Sequence, residues 1–207
     1  MALVKYNNNS ISGITSAPNV GSGDIVLIKT IDASSSSTIS FVHGSSDVVL
    51  DNTYPIYMFK FINIHPASDG EAFRFNMSTN SGSNYNVKKT STFFEGYHSE
   101  GGSSQGLGYE TGEDLAQSGN SQNLIRNLGN GDDESGSGEL FLFNPYSNEF
   151  VKNFIAKANS YHASNFSLNS YISGYANTTS AVNAVKFEMS SGNIDSGTIK
   201  LYGIKDS

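Results

Sequence analysis

Cysteine and tryptophan are both absent from this chain of 207 residues, and proline occurs only four times. Without cysteine, neither a disulfide nor a thiolate metal site can hold the fold, and stability is indifferent to the redox state of the surroundings. Without tryptophan, the bulk of any core falls to 13 Phe and 11 Tyr, helped by Ile, Leu and Val, residues that suit pleated, half-buried surfaces. Long apolar runs are missing as well. No stretch approaches the roughly 18 to 20 residues that a bilayer-crossing helix needs, so a soluble chain with no membrane insertion is expected. Positive charge is scarce: 12 Lys and Arg stand against 19 Asp and Glu, for a net charge of −7. Neutralising phosphates takes clustered basic residues, and these are scattered, so neither nucleic acid nor an anionic membrane surface is an expected partner. The opening Met1-Ala2-Leu3-Val4-Lys5-Tyr6 has no apolar run of signal-peptide length, which predicts synthesis without secretory export. Four Asn-x-Ser/Thr triplets, at Asn8, Asn76, Asn165 and Asn177, follow from a composition rich in Asn, Ser and Thr.

What is present is a series of short apolar runs punctuated by Gly, Ser, Asn and Asp, with almost nothing at helical spacing. Ile25 to Ile31, Thr38 to Val42, Val48 to Leu50 and Tyr54 to His65 come first. In the last of these Tyr57, Phe59 and Phe61 share one face and Ile56, Met58, Ile62 and Ile64 the other, the mark of a central strand. Phe73, Phe75 and Met77 alternate with Arg74, Asn76 and Ser78, as in a strand with one wet side. Tyr85 to Val87 and Ser91 to His98 follow. After the polar tract 99–138, strands resume at Glu139 to Asn144, Phe150 to Ala158, Asn165 to Tyr175, Ala184 to Ser190 and Thr198 to Ile204. Nine or ten strands are expected, with turns at Asn144-Pro145, Ser190 to Asn193 and Asp195-Ser196-Gly197. The fold class is therefore all-β, an antiparallel β-sandwich of jelly-roll type, spanning 24–207 and preceded by a polar arm, 1–23.

The tract Ser99 to Gly138 reads as one long loop excursion with a helical turn at Glu113 to Gln117, and as the place where recognition would sit. Chemistry has few footholds. No nucleophile elbow, phosphate loop or metal-binding His pair occurs, and His43, His65, His98 and His162 are dispersed. The carboxylates Glu100, Glu110, Glu113 and Asp114 are numerous enough for glycoside hydrolysis but show no pairing. Asp132, Asp133 and Glu134 offer oxygens to calcium without the alternating spacing of a calcium loop, so a solvated acidic turn is expected and no cofactor or metal. A binding surface suits the composition better, through Tyr97, Tyr109, Tyr146 and Tyr161, with Tyr171 and Tyr175 as further candidates.

The opening Met1 to Ser12, the stretch Tyr54 to Pro66 and the closing Ile194-Asp195-Ser196-Gly197-Thr198-Ile199-Lys200-Leu201-Tyr202-Gly203-Ile204 resemble small virion proteins of tailed, especially marine, bacteriophages. That resemblance implies a non-enzymatic head-decoration, tail or fibre component, present as a homo-oligomer. Its partners would be other virion proteins, with the arm tied to the particle. It also implies assembly in the host cytoplasm and a final location in the extracellular virion. The alternative expectation is a carbohydrate- or receptor-binding module at a tail or fibre tip, contacting a host-surface glycan.

Overall fold

The computed structural model describes residues 25–205, and the expected arm, 1–23, lies outside them. The described chain is all-β and antiparallel. In chain order its strands are β1 (Ile25–Ser36), β2 (Ile39–Val42), β3 (Ile56–Pro66), β4 (Glu71–Ser78), β5 (Lys89–Ser99), β6 (Gln105–Tyr109), β7 (Gln122–Leu128), β8 (Gly136–Phe143), β9 (Lys152–His162), β10 (Phe166–Ala176), β11 (Ala184–Met189) and β12 (Ile194–Ile204).

Pairing divides these strands into two arms. The larger runs β1-β12-β3-β8-β9-β10-β5-β6 and the smaller β7-β4-β11-β2. A single bridge, Leu128 to His162, joins them into one sheet folded over on itself. Aromatic rings fill the space between the arms. Phe59 on β3 lies 5.3 Å from Phe187 on β11 and 5.3 Å from Phe41 on β2. Phe61 meets Phe73 at 5.3 Å, and Phe75 meets Phe154 at 5.3 Å. Each tilted or edge-to-face pair adds about 0.5–1.5 kcal/mol beyond the area it buries. The core thus joins the two arms through rings set at alternate positions of each strand.

β3 is central, between β12 and β8, as its sequence implies, but its outer apolar set is not uniform. Asn63 takes a positive φ of 50° where the register slips between Phe61 and Ile64. The extra residue carries Ile64 into the core and leaves Ile62 39 % exposed. The closing run behaves as expected, with Ile199 and Leu201 fully buried. Its Asp195-Ser196-Gly197, expected as a turn, lies instead inside β12, where two register shifts absorb it. Gly197 adopts φ 122° there, and a Cβ would stand 2.7 Å from the Asn63 carbonyl oxygen, so only glycine lets the two bulged strands close.

The largest difference concerns 99–138. This tract is not a loop excursion: β6 and β7 lie inside it and β8 begins at Gly136. Residues 113–117 form turn and bend, not a helical turn. Leu115 and Ser118 instead bond to β5, with Ser91 N–H donating to the Leu115 carbonyl at 2.9 Å and the Lys89 N–H to the Ser118 carbonyl at 2.8 Å. Conversely, Val48, Leu50 and Val87 are buried without belonging to a strand.

Candidate functional site

Two places on this framework gather groups capable of binding. The first is the outer face of the larger arm. Strand alternation sends Phe93, Ile172, Ala156 and Leu140 inward and leaves Phe94, Tyr171, Ile155 and Phe141 outward. Cross-strand register aligns them into rows. One row reads Lys60, Glu139, Lys157, Tyr171, Phe94 and Tyr109 across six neighbouring strands. The next reads Leu27, Tyr202, Met58, Phe141 and Ile155, and a third Ile25, Ile204, Ile56 and Phe143. Ile25, Leu27, Ile155 and Leu107 are each more than half exposed, and Phe94, Tyr109 and Tyr171 nearly so. Phe94 meets Tyr109 edge-to-face at 5.2 Å, Phe141 stacks on Phe143, and the Lys157 ammonium lies 5.4 Å from the Tyr171 ring centre. A shallow apolar depression of about 350 Å³ opens between Phe94, Phe141, Ile155 and Tyr171.

The outer face of the smaller arm contrasts with this. Arg74, Lys186 and Glu188 form an ion-paired group there, with Lys186 Nζ 2.7 Å from Glu188 and Ser121 Oγ donating to the same carboxylate at 2.7 Å. Its lysine and its hydrogen bonds hold the Glu188 carboxylate ionised against the opposing effect of burial, so its pKa is lowered.

The second place is a cleft of about 350 Å³ where the arms splay beside the Leu128–His162 bridge. Its lining comes from β5 (Glu95, Tyr97), the turn before β6 (Ser104), Glu110, β7 (Arg126), the end of β9 (His162) and β10 (Phe166, Leu168). Glu95 is 1 % exposed, on the inward face that also carries Phe93. Arg126 reaches across from the smaller arm and grips it in a bidentate fork, with Nε donating to Oε2 at 2.6 Å and Nη2 to Oε1. That hydrogen-bonded carboxylate keeps the guanidinium firmly charged, and Glu110 and Glu113 add to the effect. His162 is held below its ordinary pKa, first by burial and then by Arg126. Its Nδ1 accepts from the Ser164 N–H at 3.0 Å, which leaves Nε2–H as the donor of the neutral ring.

The tyrosines singled out above do not form one site. Tyr97 is in the cleft, Tyr109 and Tyr171 are on the outer face, and Tyr146 stands 43 % exposed on the turn after Asn144. Tyr109 donates to Asp114 at 2.5 Å, and that bond raises its pKa. Tyr161 donates to Asn165 at 3.3 Å, beside Glu100 and Asp133 in a separate recess. Burial, and then Glu100, raises its pKa. Tyr175 accepts from Gln117 at 3.4 Å. Nor do Asp132, Asp133 and Glu134 converge. Asp132 and Asp133 are exposed, whereas Glu134 turns back to accept the Gly131 N–H at 2.7 Å. Among the described residues no group of three or more His, Asp or Glu is placed to hold a metal.

Sequence reasoning missed Arg126 and Glu95, 31 residues apart. The available signal is an acid at an apolar period, since Phe93 and Glu95 share a face. Comparison with known proteins finds no matching family model, no matching curated protein and no matching solved structure.

Proposed function

We propose that this chain is a non-enzymatic structural protein of a bacteriophage particle that assembles by self-association through the outer face of its larger arm. The contiguous apolar surface of that face carries the reading. Monomers seldom leave apolar patches beyond a few hundred Å² in water. Eight strands at about 4.8 Å spacing, taken over roughly 20 Å of strand length, present a face comparable to the ~800 Å² that each partner of a stable pair buries, with the apolar rows flanked on it by Lys60, Glu139, Lys157, Ser173 and Thr92. A second copy is the occupant argued for. The row Lys200, Lys60, Glu139, Lys157 carries both signs beside the apolar rows, so an identical face turned about a two-fold axis between Lys60 and Glu139 sets each of these two opposite the other.

Strand order supports the wider assignment. With the β5–β6 and β9–β10 hairpins set aside, the other eight strands, renumbered in sequence, pair as 1-8-3-6 and 2-7-4-5. We read that order as a jelly roll, an architecture of viral coat and lectin domains. Placement in a virion rests on that analogy of fold and on the resemblance of the chain ends and the Tyr54 to Pro66 stretch to phage virion proteins.

Light scattering with sedimentation tests the association. The full chain at micromolar concentration is expected to form a discrete oligomer, and Ile155→Lys, at a position 51 % exposed, to dissociate it. A lysine ammonium buried in an apolar interface should weaken it by at least about tenfold in Kd. Phe150→Lys is the matched control, 62 % exposed but on the segment before β9, and should change nothing. A monomeric wild type, or equal effects of the two variants, overturns the association. Quantitative mass spectrometry of purified particles tests the virion assignment, which predicts many copies of the chain in each particle.

A further inference from the structure

We propose that the cleft between the arms binds a neutral saccharide unit. This site does not rest on the assembly face, which lies on the opposite side of the same strands.

The floor of the cleft is kept clear by sequence. On β6 the residues facing inward are Gly106 and Gly108, while Leu107 and Tyr109 face out. A Cβ on Gly106 would stand 2.9 Å from the Tyr97 ring, so glycine lets that ring lie close against β6. A Cβ on Gly108 would meet nothing nearer than a Glu110 oxygen at 3.9 Å, which leaves open space above it.

The walls combine rings with hydrogen-bonding groups, the pairing that a sugar's C–H face and hydroxyl rim require. Tyr97 and Phe166 meet edge-to-face at 5.8 Å, and His162 meets Phe166 at 5.7 Å. Beside them Glu110 offers a carboxylate engaged by no hydrogen bond among the described residues, and Arg126 retains N–H groups beyond the two committed to Glu95. The His162 Nε2–H adds a donor. Acceptors and donors thus flank an apolar wall, and a hydroxyl, able to do both, matches either kind.

Charge decides between ligand classes. Glu95, Glu110 and the nearby Glu113 outnumber Arg126, so an anionic sugar or a phosphate would meet excess negative charge. A second observation marks the region as built for polar contact. Ser170 lies opposite Glu95 in the same cross-strand row, 1 % exposed, and its hydroxyl finds no partner among the described residues. β10 gives the cleft its apolar wall through Phe166 and Leu168, and one inward position further on it turns polar at Ser170, beside the Glu95 that β5 contributes. A volume of about 350 Å³ accommodates one sugar ring.

Ligand-observed saturation-transfer NMR on the full chain tests this. The probes are glucose, galactose, mannose and N-acetylglucosamine, with N-acetylneuraminic acid and lysine methyl ester as the anionic and cationic contrasts. At least one neutral sugar should receive saturation, with a Kd of order mM, weakened about tenfold or more by Glu110→Gln. Tyr97→Ala should abolish transfer, with circular dichroism confirming its fold. The result that overturns the proposal is transfer to no neutral sugar, transfer that survives Glu110→Gln, or transfer to a charged probe alone. Light scattering on Glu110→Gln separates the outcomes, since its oligomeric state should match the wild type whether or not sugar binds.

Discussion

Raising the pH from 7 to about 9.5 should stabilise this protein by about 3 kcal/mol through one buried lysine, Lys89. Its side chain is wholly enclosed at the start of β5, where Nζ donates to Asn76 Oδ1 at 2.7 Å and to the Val87 carbonyl at 2.8 Å. Both partners are neutral. No counter-charge offsets the loss of water around the ammonium, and burial lowers the pKa from 10.5 to about 7. The sign follows from proton counts. Between about 7 and 10.5 the unfolded chain binds a proton at this residue that the folded chain does not, so stability rises with pH across that window. Below about 7 both states are protonated, and the cost of burial is present in full. Lys152, also buried, is lowered in the same direction by the same cause, with Phe150 and Thr178 carbonyls as its acceptors. Tyr57 sets the upper limit of the experiment: burial raises its pKa to about 12, so its contribution is lost as pH climbs beyond 10. Urea unfolding at pH 7, 8.5 and 9.5 measures the effect. Lys89→Met should flatten most of the slope, and a slope equal to that of the wild type would show that Lys89 is not its source.

Arg126→Ala should cost about 3–5 kcal/mol, and Glu95→Ala distinctly less, although both remove one half of the same pair. The asymmetry comes from burial. Glu95 is 1 % exposed and faces inward, so without the guanidinium its charge is stranded between the arms. The Arg126 side chain is 24 % exposed and has Glu110 and Glu113 nearby, so without Glu95 it retains both solvent and compensating charge. Denaturant unfolding of the two single variants and the double variant gives the comparison. Equal costs would mean that the fork is held from the solvent side and that Glu95 is not the stranded partner.

Strands with a clean two-residue alternation were legible from sequence alone as to their core sets, Phe73-Phe75-Met77 and Ile199-Leu201, although Asn76 and Ser78, on the side of β4 expected to be wet, are buried as well. β6 and β7 were not legible, for a physical reason. The inward positions of β6 are glycines, and Gln122 on β7 is fully buried as a polar residue, its amide tied to Glu113 and Asn123 carbonyls and to Ser91. β6 thus carries no apolar period to detect, and on β7 the buried Leu124, Ile125 and Leu128 fall out of alternation where the register with β4 shifts. Val48, Leu50 and Val87 misled in the opposite direction, because an apolar residue buried outside any strand leaves the same apolar trace as one inside it. Of the cleft, Tyr97 is legible as a binding candidate, while Glu110 and His162 stand out in the sequence only as an unpaired carboxylate and a dispersed histidine. The Arg126–Glu95 fork depends on which strands lie opposite each other across the arms, which a single sequence does not encode locally.

The pairing of β1 with β12 bears on the order of events in folding. Ile25 sits opposite Ile204, so the first and last described strands are neighbours, and β12 is also what covers one flank of β3. During synthesis β3, with Tyr57, Phe59 and Phe61, waits with that flank unpaired until β12, about 130 residues further on, has left the ribosome. Such distant closure makes for slow folding and a long interval in which an apolar strand edge is open to other chains. Truncation at Ile194 would extend that interval indefinitely, turning a late step of folding into a permanent sticky edge.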